Sequence, residues 1–127
     1  MALAFVRRAL KKAWHKYDAV GEYYAGDWFA SQRELRRWVE LRLLRDNGQI
    51  VGLARQVRFP LIVRGKDGHD HTVGHYVADF IYRECTGGKG WAPGDLVVED
   101  AKGFRTELYR WKKKHFEQQY GIVIRET

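Results

Sequence analysis

The residue pattern predicts an α/β domain, in the order helix, β meander, helix and strand, and three observations carry that prediction. Two segments of helical period, 31–47 and 106–120, bracket the middle of the chain. Between them lie runs rich in β-branched and aromatic residues, at 49–63, 76–82 and 96–102, separated by Gly-rich turns. A short apolar run at 122–125 follows the second helix and is expected to close the sheet.

Taken in order, residues 1–16 (MALAFVRRALKKAWHK) are basic and carry no acid. Leu3, Val6, Leu10 and Trp14 fall on one face, which suits an amphipathic helix or arm. Packing or dimer contact, DNA contact and targeting are the three roles open to it. Residues 17–127 form the domain proper. Within it, 17–30 reads as a hairpin turning at Ala25-Gly26-Asp27, with Tyr23, Tyr24, Trp28 and Phe29 in its arms. Ser31 opens the first helix and Asn47-Gly48 stops it. Leu35, Trp38, Val39, Leu43 and Leu44 supply its apolar face. Segment 49–63 is two strands or one bent strand, and Pro60 places it at an edge or a bulge. Residues 64–74 are a polar turn, and 86–94 a Gly-rich connection. The helix at 106–120 ends at Gly121; Leu108, Trp111, Phe116 and Tyr120 are expected inward, with Arg110, Lys113 and Lys114 outward.

At 127 residues the chain fits one domain, and 45% apolar with 14% aromatic residues argues against a disordered tail. A formal charge of +7 and a pI near 9.7 favour a polyanionic partner, nucleic acid before an anionic membrane surface. No apolar run has the length of a membrane span. Cys85 is the lone cysteine and excludes an internal disulfide, which suits a reducing cytoplasm.

Chemistry is concentrated in the two strands around the Gly-rich connection. Asp79 stands inside one apolar run, Glu99 and Asp100 end the other, and Lys102 follows. A carboxylate in an apolar strand is costly unless it is paired, hydrogen-bonded or bound to a cation. Two of them on neighbouring strands could share a hard divalent ion, with the Ala101 carbonyl as a further oxygen ligand. Pairing of Asp100 with Lys102 would also satisfy the acid. Strand alternation puts Asp100 and Lys102 on one face and Glu99 on the other, unless a bulge exchanges them. His69, His71 and His75 with Asp67 and Asp70 match no zinc spacing and read as a solvated turn. Gly87-Gly88-Lys89-Gly90 lacks the spacing and following helix of a phosphate loop.

The segments Ala78-Asp79 and Asp100-Ala101-Lys102 resemble the PD-(D/E)XK nuclease superfamily, with alanine at 78 in place of the usual proline. Beyond the short motif, Ser31-Gln32-Arg33-Glu34, the run around Tyr76–Phe80, the stretch from Val97 to Thr106 and Tyr109-Arg110-Trp111 are similar to a family of small phage-encoded, endonuclease-like proteins. The order of these elements is also similar to the Holliday-junction endonucleases of T7-like phages. This resemblance implies a restriction-endonuclease-like core, with a central mixed β-sheet flanked by helices, and a Mg2+-dependent DNA endonuclease, with Mn2+ able to substitute. It further implies a possible homodimer, a preference for branched DNA, 5′-phosphate products and a role in phage DNA metabolism in the host cytoplasm. Asp79, Asp100, Ala101 and a glutamate of the first helix would hold the metal, and Lys102 would assist at the phosphate. Glu34 and Glu40 are both candidates for that glutamate, and Glu34 also completes a capping box with Ser31. Arg105, Arg110, Lys113 and Lys114 would hold the DNA backbone. A non-catalytic DNA-binding module and a phage protein-interaction factor are the rival readings.

Overall fold

The structure, a computed structural model, describes residues 21–86 and 92–127. The expected arm at 1–16 lies outside the described residues. The elements run β1 (Glu22–Tyr24), β2 (Asp27–Phe29), α1 (Gln32–Asp46), β3 (Ile50–Arg64), β4 (Asp70–Thr86), β5 (Ala92–Asp100), α2 (Glu107–Tyr120) and β6 (Arg125–Glu126). β1 and β2 pair through a two-residue turn, Ala25-Gly26, with positive φ at both positions. That backbone matches the twist of a tight hairpin, and glycine takes it without strain.

A four-stranded mixed sheet, in the order β3-β4-β5-β6, forms the centre. β3, β4 and β5 are antiparallel neighbours, and β6 returns parallel to β5. β3 is thus an edge strand, one of the two settings open to Pro60. Its edge is covered from α2, because the Pro60 carbonyl accepts from Gln119 Nε2 and Tyr120 OH. The polar turn expected at 64–74 is shorter than that. Ile62, Val63 and Arg64 pair with Thr72, His71 and Asp70, so only residues 65–69 turn. Backbone pairing carries the hairpin past the apolar residues that mark it in the sequence. β5 likewise begins at Ala92 and ends at Asp100, earlier at both ends than the apolar run suggests.

One helix covers each face. On one, Tyr109 and Phe116 of α2 pack with Leu61, Tyr76, Ala78, Val98 and Ile124. On the other, Leu41 of α1 packs with Ile50, Phe80 and Tyr82, and Trp38 stacks on Phe80. Tyr76, Ala78, Phe80 and Tyr82 share one parity, yet they divide between the two clusters. The change falls at Asp79, opposite Gln56, whose φ of 55° leaves the extended region. That pair turns the strands over at the middle of the sheet.

Two expected helix faces need correction. In α1, Leu43 is 59% exposed, and Leu41, absent from the expected stripe, is fully buried. In α2, Leu108 and Trp111 are 61% and 55% exposed, while Tyr109 is buried in their place. Both stripes of α2 have helical spacing. Tyr109 goes inward because its hydroxyl finds an acceptor there, Glu126 Oε2 at 2.8 Å. No helix among the described residues is long and apolar enough to cross a membrane.

Candidate active site

The end of β5 carries two buried acids in succession, and they point to opposite faces. Glu99 turns toward α1. Arg37 grips it with two hydrogen bonds, Nε to Oε2 at 2.7 Å and Nη2 to Oε1 at 2.9 Å, and Tyr82 OH donates to Oε1 at 2.8 Å. Asp100 turns toward α2. Tyr76 OH donates to its Oδ2, and Lys102 Nζ lies 3.4 Å from Oδ1. That second contact is an ion pair out of hydrogen-bond alignment, so buried Oδ1 has no donor among the described residues. Plain strand alternation therefore holds through Asp100, without a bulge to exchange the two acids.

Asp79, from the middle of β4, meets Asp100. Its Oδ2 accepts the Ala101 N–H at 2.9 Å, and its Oδ1 accepts from Gln56 Nε2 at 3.2 Å. Burial and then the charge of Asp79 push the Asp100 carboxyl up to about 7, and a proton there lets the two carboxyls share a hydrogen bond. The Tyr76 hydroxyl is held protonated by burial and by the adjoining Asp100 charge.

Glu34 is the glutamate of α1 that reaches this cluster. Ser31 Oγ caps the helix by accepting from the Glu34 N–H at 3.1 Å, but the Glu34 carboxylate takes other partners. Its Oε1 accepts from Arg55 Nη2 at 3.0 Å and Gln56 Nε2 at 2.9 Å. Burial and Asp79 raise its pKa, while Arg55 and Gln56 oppose the rise. Gln56 thereby bridges Glu34 and Asp79. Arg55 is itself held over the Phe29 ring at 3.8 Å, and also donates to the Trp28 carbonyl at 2.9 Å. Glu40, the other candidate, is exposed and bonds to Arg37 Nη1 at 2.9 Å.

Lys102 lies over the Tyr109 ring, 4.3 Å from its centroid, next to Asp100. Of the expected DNA-binding residues, Arg105 and Lys113 converge on Glu126, at 3.0 and 3.8 Å. Arg110 and Lys114 are exposed. The histidine-rich turn is exposed, and His71 pairs with Asp67 there at 2.8 Å.

This donor set fits a hard divalent cation: two carboxylates face each other, and one buried oxygen lacks a donor. Among the described residues no three or more His, Cys, Asp or Glu side chains form a ready-made cage. Mg2+ needs none, since it keeps waters and takes one or two carboxylates plus phosphate oxygens. The Ala101 N–H fixes the orientation of Asp79.

A family model matches residues 14–126, which takes in every element and each of these side chains. The chain belongs to DUF1064, a protein family of unknown function. No curated protein and no solved structure matches it. In this DUF1064 chain the sequence pointed to Glu34, Asp79, Asp100 and Lys102, and the fold gathers all four around the middle of β4 and the end of β5. Arg37, Arg55, Gln56 and Tyr76 were missed. For Arg55-Gln56 the signal was present: two polar residues interrupt the β-branched run at 50–63, as Asp79 interrupts its own.

Proposed function

We propose that this DUF1064 chain is a divalent-cation-dependent DNA endonuclease with a restriction-endonuclease-like core. The observation that carries the reading is buried Asp100, with an oxygen lacking a donor beside a second carboxylate and a lysine. Asp79 and Asp100 would hold Mg2+ or Mn2+, with Glu34 as the third carboxylate, tied to Asp79 by Gln56. When bound, such an ion supplies Lewis-acid neutralisation of phosphoryl oxygens and makes water a competent nucleophile near neutral pH. Lys102, held over Tyr109 and next to Asp100, orients the attacking water and offsets charge developing on the phosphoryl group. Tyr76 and the Ala101 N–H fix the two carboxylates so that little reorganisation remains at the moment of reaction. The water oxygen bonds to phosphorus and the 3′ oxygen departs with a proton, leaving 5′-phosphate and 3′-hydroxyl ends. The net charge of +7 suits a polyanionic substrate. The preference for branched DNA and a homodimer in phage DNA metabolism rest on the family resemblance.

One observation favours a second reading, a DNA-binding module that no longer cuts. Arg55 and Gln56 already satisfy Glu34, and Gln56 with Ala101 satisfies Asp79. Nicking of linear duplex, flap and four-way-junction DNA with Mg2+ or Mn2+ separates the two. The nuclease reading expects cleavage by the wild type that Lys102→Ala and Asp100→Ala lose. Equal cleavage by all three proteins would assign the activity to a contaminant and sink the reading.

A further inference from the structure

Two clefts follow one another along the outer side of α2. The first, of about 210 Å3, begins at Lys102 and is lined by Leu108, Tyr109 and Lys112. The second, of about 570 Å3, is lined by Ile62, Trp111, Lys114, His115 and Gln118. Trp111 and Lys112 lie three and four residues after Leu108, and His115 lies four and three after them, so the four share one side of the helix and the clefts adjoin.

The lining of the two clefts is one-signed. No acid lines either cleft, whereas Lys102, Lys112 and Lys114 do. Neither Lys112 nor Lys114 has an ion-pair partner among the described residues. Trp111 keeps 55% of its surface in solvent on a helix that is otherwise pinned down. Phe116 anchors the helix from beneath, and Gln119 and Tyr120 tie it to Pro60. The indole has a fixed neighbour: the His115 ring meets it edge-on at 5.7 Å, while His115 Nε2 donates to the Ile62 carbonyl at 3.0 Å.

A held aromatic face between lysines, with no carboxylate in either lining, suits bases stacked on a ring and a backbone on cations. Bases inside a duplex are already stacked on each other and offer no such face. We propose that this side of α2 is a track for an unpaired DNA strand, with a base on Trp111, phosphates on Lys112 and Lys114, and the strand running toward Lys102. The proposal rests on the nucleic-acid part of the function above and narrows its substrate to DNA with a single-stranded segment.

The test is fluorescence anisotropy of labelled oligo(dT) and of a duplex of equal length, with the full chain in EDTA so that nothing is cut. Trp111→Ala should weaken oligo(dT) binding about 10-fold, as expected for loss of one stacked base, and duplex binding by less than about 2-fold. Trp111→Phe keeps a ring and should retain most of the affinity. Lys114→Gln should lower the salt slope for oligo(dT) by about 0.7. Unchanged oligo(dT) affinity in Trp111→Ala overturns the track, as does an equal loss on both DNAs or a Phe variant as weak as the Ala one. A wild-type dimer in sedimentation that Trp111→Ala dissolves would also overturn it, by making this side an interface between copies. Trp111-dependent binding without cleavage by the wild type would refute the nuclease alone, and cleavage without Trp111-dependent binding would refute the track alone.

Discussion

Glu99 and Asp100 are adjacent, equally buried and attached to the same strand, yet their surroundings have opposite character. Glu99 is closed off: a guanidinium fork and a phenol donate to it, and its partners come from α1 and β4. Asp100 is left open, with one phenol, a misaligned lysine and a second carboxylate against it. A closed acid belongs to the architecture, because its charge is met in place and removing a partner would strand it in the core. An open one stores an electrostatic demand that a proton or a cation can meet. On the proposed function, that difference separates a structural acid from a reactive one where residue type and burial do not.

The largest effect is expected on the closed side. Arg37→Ala strands the Glu99 charge in the core and should cost about 3–5 kcal/mol of stability in urea unfolding. Replacing Arg37 and Glu99 together by leucine and methionine should recover most of that loss, since neither charge is then left alone. If Arg37→Ala unfolds at the wild-type midpoint, Glu99 is not closed off and the contrast collapses.

Asp100→Asn should act in the other direction. It removes charge without changing shape, so cation-dependent cleavage should fall by about 10²–10³-fold, the scale of losing one preorganised electrostatic group. At the same time the variant should be more stable than the wild type at about pH 8, because a costly ionised group has gone. Single-turnover cleavage and urea titration on the same preparation would report both signs. A variant that is destabilised as well as inactive would mark Asp100 as one more structural acid.

The pH dependence of stability follows from the same group. Burial and Asp79 raise its folded pKa to about 7, above the ordinary carboxylate value near 4. The folded state therefore binds the proton more tightly than the unfolded chain. Stability from this group is fully present below about pH 4, falls as pH rises toward 7, and stays flat above. Within that window each unit should cost up to about 1.4 kcal/mol. Glu34, also raised, adds to the slope in the same direction. Millimolar Mg2+ should restore part of the loss at about pH 8 in the wild type and none in Asp100→Asn, by preferential binding to the folded state. Thermal melts from pH 4 upward, with and without the ion, would show it. A wild-type curve as flat as that of the Asn variant would contradict the open character of Asp100.

Much of this was readable from residue order. Period-2 alternation alone separates Glu99 from Asp100, and Asp79 is conspicuous as an acid inside Tyr76–Tyr82. Both helices and their caps at Ser31, Thr106 and Gly121 are likewise local signals. What could not be read is whatever depends on contacts made across the chain. Glu34 satisfies the capping pattern in sequence, and only the approach of Arg55 and Gln56, about twenty positions on, shows its carboxylate engaged elsewhere. The choice between Tyr109 and Leu108-Trp111 for the inward side of α2 likewise depends on Glu126, which reaches the helix only when β6 pairs with β5.

The smallest effect concerns the residue that joins Glu34 to Asp79. Gln56 adopts a left-handed backbone conformation within β3, and its side-chain amide bonds to both Glu34 and Asp79. For a residue with a Cβ that conformation costs about 1–2 kcal/mol, and glycine escapes the cost. Gln56→Ala loses the amide bridge and keeps the strain, whereas Gln56→Gly loses the bridge and relieves it. Glycine should therefore be the more stable variant by about 1 kcal/mol, against its usual disadvantage in a strand. Both variants should lower cleavage alike, because Glu34 and Asp79 lose their common donor in each. Urea midpoints in the usual order, alanine above glycine, would mean that the strand is not turned over at Gln56. The opposite faces taken by Tyr76 and Phe80, and with them the meeting of Asp79 and Asp100, would then need another cause.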